Sequence, residues 1–380
     1  MIVIADDITG AAEIAGIAHS QGQTVRLVCA QGSVCCDCVA TDGTTVIATD
    51  TRSMSEADAA AESRRIARHL TPQAHSEGLL LLFKKTDSAL RGHVVAELTA
   101  LLETTGYHRA VYLPANPSKG RIIRGGVYYI RQERDIPLHE TAFSYDPEFP
   151  AHSSVLRERF PDAEEHGIIM PDAETLDDIR QVIDRYNDGH TLFAGAADLF
   201  RTYGERDWQH GATEERRSDS MPANTLILCG STQSKPLDLG IPVCPMPREV
   251  YDGEQGAADW FAQLPTALHA QKGEGSLILT IPYTHRTGKA TAVHLRTVMA
   301  EMARLIINNQ LLPSLNREKT VKSLHLIIEG GATAWATLQA LGWTTFRIER
   351  QIAPGVVQMR TPDGILVTLK PGSYPWGDLF

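Results

Sequence analysis

The sequence predicts an α/β protein of two domains, each a mostly parallel sheet flanked by helices, with the active site in the cleft between them. Three observations predict it. Short, near-continuous apolar runs rich in Val, Ile and Leu alternate with amphipathic stretches of helical period, the pattern of parallel strands covered on both faces. The alternation stops and restarts around a polar, charge-dense stretch at residues 201–224, as it does at a linker. A chain of 380 residues also exceeds what one hydrophobic core ordinarily organises. The expected layout is a domain over residues 1–200, a linker over 201–224 and a domain over 225–380.

In the first domain, strands are expected at residues 2–5, 24–29, 45–49, 79–84 and 109–113, with helices at 10–20, 55–70 and 94–104. Ser55 is placed to cap the second helix and Thr71-Pro72 to stop it. From Pro114 to about residue 150 a Gly-, Pro- and Tyr-rich stretch reads as an irregular insertion over a site. A strand at 167–170 and a helix at 175–185 follow. In the second domain, strands at 226–229, 277–281 and 324–329 alternate with helices at 289–308 and 333–341. Two last strands, 356–360 and 365–369, are joined by the turn Thr361-Pro362-Asp363-Gly364.

Composition narrows the function. Apolar residues make up 43% and charged residues 22%, as in an ordinary globular protein. With 36 Lys and Arg against 46 Asp and Glu, the formal charge is −10, so no global attraction draws the chain to nucleic acid. No apolar run approaches the ~20 residues that span a bilayer. The start, Met1-Ile2-Val3-Ile4-Ala5 before Asp6-Asp7, lacks a basic leader. A cytoplasmic protein without nucleic-acid or membrane partners is expected. Of six cysteines, three sit in Cys35-Cys36-Asp37-Cys38. No second pair follows at zinc-site spacing, so reduced thiols are expected.

Polar residues gather where expected strands end, which is where open α/β sheets bind ligands. Asp6-Asp7-Ile8-Thr9-Gly10 follows the first strand, Thr49-Asp50-Thr51-Arg52-Ser53 the third, and Lys84-Lys85-Thr86-Asp87-Ser88-Ala89-Leu90-Arg91-Gly92 the fourth. Adjacent carboxylates repel and call for a cation, a substrate hydroxyl or an Arg/Lys partner. Arg and Lys at a strand end suit a carboxylate or phosphate. The second half lacks a Walker-type P-loop but has glycine turns at Cys229-Gly230-Ser231-Thr232 and Glu329-Gly330-Gly331-Ala332-Thr333-Ala334, and a small-residue turn at Lys370-Pro371-Gly372-Ser373. Backbone N–H groups at such a turn, with a helix N-terminus behind them, suit an anion.

These motifs, in this order and across nearly the whole chain, resemble the four-carbon acid sugar kinase family. The carriers include Ala5-Asp6-Asp7-Ile8-Thr9-Gly10-Ala11, Lys85-Thr86-Asp87-Ser88-Ala89-Leu90-Arg91-Gly92, Pro114-Ala115-Asn116-Pro117 with Gly120-Arg121, His139-Glu140-Thr141 leading to Asp146-Pro147, Gly230-Ser231, Gly330-Gly331-Ala332-Thr333-Ala334, Pro354-Gly355 and Lys370-Pro371-Gly372. The resemblance implies an ATP-dependent kinase acting on threonate-, erythronate- or 3-oxo-tetronate-like acids, with the acid in the first domain and ATP with Mg²⁺ in the second. It implies substrate contacts at Asp7, Arg52, Lys85, Asp87 and Arg91, to which Asp6 and Ser88 are added from their place in the clusters. Asp7 or Asp87 is the expected base. The implied nucleotide positions are Ser231, Gly330, Gly331, Ala332, Thr333 and Gly372, and a homodimer is the expected assembly. Ala332 stands where the family usually has an acid, Ala89 where it has a hydroxyl, and Ser373-Tyr374-Pro375-Trp376-Gly377 departs from its usual ending. Two alternatives accompany this reading: a binding protein without turnover, and a magnesium-dependent phosphatase, whose Asp-x-Asp-x-Thr pattern is broken at Ile8.

Overall fold

The computed structural model describes residues 1–30, 43–77, 81–146, 148–206, 208, 224–230, 237–264, 275–308, 324–372, 374 and 376–379, without the side chains of 71–77. Two compact units result, Met1–Ala212 and Thr213–Phe380. The Cys35–Cys38 cluster and most of the expected linker lie outside the described residues.

In the first unit, β1 (Ile2–Ala5), β2 (Val25–Cys29), β3 (Thr44–Ala48), β4 (Leu82–Lys85) and β5 (Arg109–Leu113) alternate with helices α1 (Ile8–Ser20), α2 (Glu56–Glu77) and α3 (Val94–Thr104). A three-stranded antiparallel sheet of β6 (Arg121–Arg124), β7 (Val127–Arg131) and β8 (Asp135–Pro137) follows. Helix α4 (Leu156–Arg159), β9 (Ile168–Ile169), α5 (Leu176–Tyr186), β10 (Thr191–Gly195) and α6 (Ala197–Gly204) complete the unit. The main sheet runs β2-β3-β1-β4-β10-β5-β9, all parallel. Strands β1, β3, β4 and β10 are buried end to end because their residues pack on both faces.

The order decides where a ligand goes. The chain leaves β1 toward β2 on one side, while β3 and β4 lead to strands on the other. Right-handed crossovers therefore put α1 on one face and α2 with α3 on the opposite face. α2 packs on α3, and α1 on α6. The crevice at the carboxyl end of β1 is thus a topological switch point.

The second unit repeats the plan with β11 (Asn224–Cys229), β12 (Val243–Pro245), helices α7 (Arg248–Tyr251) and α8 (Ala257–Ala262), β13 (Leu277–Thr280), α9 (Lys289–Asn308), β14 (Leu324–Glu329) and α10 (Gly331–Leu341). Strands β15 (Thr345–Ala353), β16 (Val356–Arg360) and β17 (Leu366–Lys370) close it in the order β12-β13-β11-β14-β17-β16-β15. The expected hairpin turn joins β16 to β17, with Gly364 at φ 92 donating its N–H to Thr361 at 2.9 Å. The chain leaves β11 and β14 in opposite directions, making a second switch point beside β11. Among the described residues no helix is long and apolar enough to cross a membrane.

Several expectations need correction. Helix α2 starts under its Ser55 cap, which accepts from Asp58 N at 3.2 Å, but runs on past Thr71-Pro72 to Glu77. Proline removes one backbone donor from a helix, and α2 keeps its course through that loss. The expected linker begins inside α6, and Trp208 is buried with its ring 5.3 Å from Phe200. The stretch after Pro114 is not irregular throughout: Gly125 (φ 60) and Gly126 (φ 73) make a two-residue hairpin turn between β6 and β7, the Gly-Gly signature of a turn with two positive φ angles. Asp172 accepts both glycine N–H groups, at 2.7 and 2.9 Å.

No atom lies within 4 Å of a Cβ placed at Gly125, so only backbone strain opposes a side chain there. Gly125→Asn is expected to leave stability nearly unchanged, since Asn tolerates positive φ. Gly125→Val is expected to cost about 1–3 kcal/mol. Denaturant midpoints of the two variants check this.

Candidate functional site

The first switch point gathers the polar clusters that end β1, β3 and β4. Asp7 is the N-cap of α1: Gly10 N donates to Oδ1 at 2.9 Å and Thr9 Oγ1 donates to Oδ2. A Cβ on Gly10 would lie 2.6 Å from that carboxylate, so only glycine lets the cap form. After β3, Asp50 takes a left-handed φ of 55° and Thr51–Ser53 forms one 3₁₀ turn that turns Arg52 back over β1. Arg52 Nε donates to Asp6 Oδ2 at 3.0 Å, and Nη2 to Asp7 Oδ1 at 3.0 Å. Its Nη1 lies 3.6 Å from Asp87 Oδ1. One guanidinium thus joins three carboxylates from two strand ends.

After β4, Asp87 is clamped by Arg91, whose Nε and Nη2 donate at 3.0 and 2.8 Å, while Ala89 N adds a bond at 2.8 Å. Ser88 Oγ accepts from Arg121 on β6, and Tyr128 on β7 donates to the Ser88 carbonyl. Lys85 is buried; its Nζ donates to the Thr86 carbonyl at 2.8 Å and lies 3.7 Å from Glu13 on α1, which also pairs with Lys119 at 2.6 Å. Arg91 is the most exposed cation of Arg52, Lys85 and Arg91, with a third of its side chain open. All seven residues expected in this half, Asp6, Asp7, Arg52, Lys85, Asp87, Ser88 and Arg91, therefore fall in one cluster.

The carboxyl pKa values shift in opposite directions. Burial raises the Asp6 pKa, aided by the neighbouring Asp7 charge, and Arg52 does not cancel the effect. Burial also opposes ionisation of Asp7 and Asp87, but Arg52 and the bonds around each outweigh it and hold both below the usual range. Environments that push neighbouring carboxyls apart mark a site rather than a solvated surface. Of the buried side-chain polar atoms that find no hydrogen-bond partner among the described residues, three gather here: Asp6 Oδ1, Thr86 Oγ1 and Tyr112 Oη. They belong to the ends of β1, β4 and β5, and buried polar groups normally find partners. Sequence reasoning missed Arg121, Tyr128, Glu13 and Lys119; Gly120-Arg121 was the available signal for the first.

The second unit works with backbone. Gly330 at φ 98 turns the chain from β14 into α10, which has no side-chain cap and no acid in its first turn. A Cβ on Gly230 would lie 2.2 Å from Thr333 Oγ1, so the β11 loop and the α10 N-terminus touch only through glycine. Gly331, Ala332 and Thr333 thus present a helix N-terminus suited to phosphate. Ala332 is exposed at that helix end; a backbone N–H there does not depend on the side chain it carries. Beside it Lys370 and Glu329 form a buried pair at 2.5 Å, and Lys370 Nζ also donates to the Gly372 carbonyl at 3.2 Å. Ser231 lies outside the described residues. Beyond β13 a depression of about 430 Å³ is lined by Tyr251, Gly253, Arg286, Thr287, Thr291 and His294, which sequence reasoning also missed. Among the described residues no group of three or more His, Cys, Asp or Glu is arranged to hold a metal.

Two family models match the chain: a sugar-binding N-terminal domain over residues 1–187 and a nucleotide-binding C-terminal domain over residues 242–374. A 3-oxo-tetronate kinase of Brucella melitensis is 26% identical over 98% of this chain and 92% of its own. A D-threonate kinase of Cupriavidus necator is 25% identical over 95% of this chain and 90% of its own. The solved Haemophilus influenzae protein HI1011 shares the fold, with a TM-score of 0.67 at 19% identity over 100% of this chain and 98% of that one.

These opposite shifts give a pH signature. The raised Asp6 pKa means that the folded state binds this proton more tightly, so ionised Asp6 costs stability above its folded pKa. Asp6→Asn is therefore expected to raise the melting temperature at pH 7 by about 2–4 °C. The gain fades as the pH falls toward the ordinary Asp value of about 3.9. Asp87 has the opposite sign: its contribution is complete above that value and is lost on acidification. Thermal unfolding of Asp6→Asn and Asp87→Asn between pH 3 and 8 checks the two slopes; a lower melting temperature for Asp6→Asn at pH 7 contradicts the assignment.

Proposed function

The chain belongs to the four-carbon acid sugar kinase family and is a phosphotransferase, and from that premise we propose that it transfers the γ-phosphoryl of ATP to a hydroxyl of a threonate-, erythronate- or 3-oxo-tetronate-type acid. The observation that carries the reading is the convergence of three strand-end clusters on Arg52, in the unit that matches a sugar-binding domain. A small polyhydroxy acid supplies hydroxyls for the buried polar atoms left without partners at these strand ends.

Each residue receives a role. Arg91, the most exposed of the three cations, takes the substrate carboxylate at Nη1, the nitrogen that Asp87 leaves open, with Lys85 and Arg52 behind it. Asp87, held by Arg91 and Ala89 N, anchors that grip rather than accepting a proton. Asp7 has the most accessible side chain of the three carboxylates, and it orients the attacking hydroxyl and receives its proton. Asp6 and Ser88 complete the polar wall. In the second unit the Gly330–Thr333 backbone, with Ser231 and Gly372, holds the nucleotide phosphates. Mg²⁺ neutralises phosphate charge when bound. The donor set fits an ion brought in by the nucleotide, because Mg²⁺ commonly keeps phosphate and water ligands beside one or two carboxylates. Catalysis then rests on positioning and charge stabilisation. Buried free thiols at Cys29, Cys229 and Cys244 suit work in the cytoplasm.

ADP release with Mg-ATP against D- and L-threonate, D- and L-erythronate and the 3-oxo acids tests the reading, and turnover of one of them is the expected result. Asp7→Asn is expected to lower kcat about 10²–10⁴-fold while preserving the helix cap, since Asn caps as well as Asp. Asp87→Asn is expected to act mainly on KM for the acid. Retention of kcat within tenfold in Asp7→Asn removes Asp7 from the proton-accepting role.

A further inference from the structure

Directly behind the first site lies a buried ion pair that the functional reading leaves unused. Lys84 is wholly buried and Glu97 nearly so, with Nζ and Oε2 2.5 Å apart. Its stability value does not explain it. Removing two charges from water carries a desolvation cost that their attraction barely offsets, and apolar residues of similar volume commonly serve as well or better.

Its connections point elsewhere. Glu97 Oε2 also accepts from Thr51 Oγ1 at 2.7 Å and from Ser63 Oγ at 3.5 Å. Thr51 N donates to Thr49 Oγ1 at 3.3 Å, and Thr49 Oγ1 donates to the Ala5 carbonyl at 2.9 Å. Thr51 opens the 3₁₀ turn that carries Arg52, whose own N–H donates to the Asp6 carbonyl at 3.2 Å. A continuous chain of bonds thus runs from β4 through α3 to the turn after β3 and the end of β1. Thr51 is fully buried, so no water competes for its hydroxyl.

We propose that Lys84 and Glu97 are positioning residues for Arg52: the pair fixes the Thr51–Ser53 turn and so aims the guanidinium at the three carboxylates and the bound acid. The proposal rests on the functional reading in taking the first unit as the acid site. Glu97 touches no substrate in this scheme; Lys84 pairs with its carboxylate, and the same carboxylate holds Thr51.

Two variants separate positioning from packing. Thr51→Val keeps the ion pair and cuts only its link to the turn. Lys84→Met/Glu97→Leu removes both charges while keeping apolar volume. Isotope-labelled Arg52 gives a readout that needs no ligand: in the wild type its Nε–H, bonded to Asp6 at 3.0 Å, is expected to exchange slowly with water. Both variants are expected to speed that exchange tenfold or more. Calorimetric Kd for D-threonate and D-erythronate is expected to weaken at least tenfold, with KM for ATP unchanged. In an Arg52→Lys background the same changes are expected to cost less than twofold in Kd, because the group they position is gone. Unchanged exchange and unchanged Kd in folded variants overturn the proposal, as do losses that multiply fully in the Arg52→Lys background. If the double variant fails to fold, Thr51→Val decides alone. If the wild type binds neither acid, the functional reading is what fails, and the exchange measurement still decides the positioning role.

Discussion

Three carboxylates at neighbouring strand ends repel one another, and the first unit brings them together only because Arg52 stands among them. A guanidinium suits this position: its donors lie in a rigid plane, it stays ionised when buried, and it serves several acceptors at once. Lysine would offer one point charge in the same space. The demand propagates outward. Arg52 reaches Asp6 and Asp7 because Asp50 bends into the left-handed region and Thr51–Ser53 winds one tight turn. Gly10 leaves room for the Asp7 cap, and Gly92 (φ 96) brings its backbone close to Asp6. The strand order β3-β1-β4 makes these ends neighbours at all.

The second unit solves a different problem. Its glycine turns let two backbone segments approach closer than any side chain permits, and they aim amide dipoles where the first unit aims full charges. A ligand that arrives with several negative charges of its own suits such a surface, whereas a singly charged acid with hydroxyls suits the first. The two chemistries fall on the two matched domains accordingly.

Much of this was legible in the sequence where local preference and tertiary demand agree. Ile2–Ala5, Arg109–Leu113 and Leu324–Glu329 are apolar runs with polar punctuation, and they are strands where expected. Thr191–Gly195 escaped notice as a short run ending in glycine, and α6 after it has no side-chain cap to announce it. The apolar pattern of β15 is interrupted by Arg347, Glu349 and Arg350, whose partners Gln358 and Arg360 lie on β16, out of reach of a local periodicity. The site's charges were visible as clusters, but the division of labour between Lys84 and Lys85 was not. Adjacent and identical in sequence, they differ only through the alternation of a strand whose facing neighbours are unknown until it is folded. Glu97 and Glu13 were invisible for the same reason, since a lone acid in a helix ordinarily faces solvent.

That alternation has a consequence for assembly of the sheet. Lys84 meets Glu97 of α3 on one face and Lys85 approaches Glu13 of α1 on the other. Were β4 to slide by one residue against β1, each ammonium would exchange faces and meet aliphatic side chains in place of its acid. Hydrophobic packing alone discriminates weakly among offsets of a strand that is apolar on both sides. Two consecutive lysines with acids waiting on opposite faces act as a key with two teeth, admitting one alignment and rejecting its neighbours while the chain is still folding.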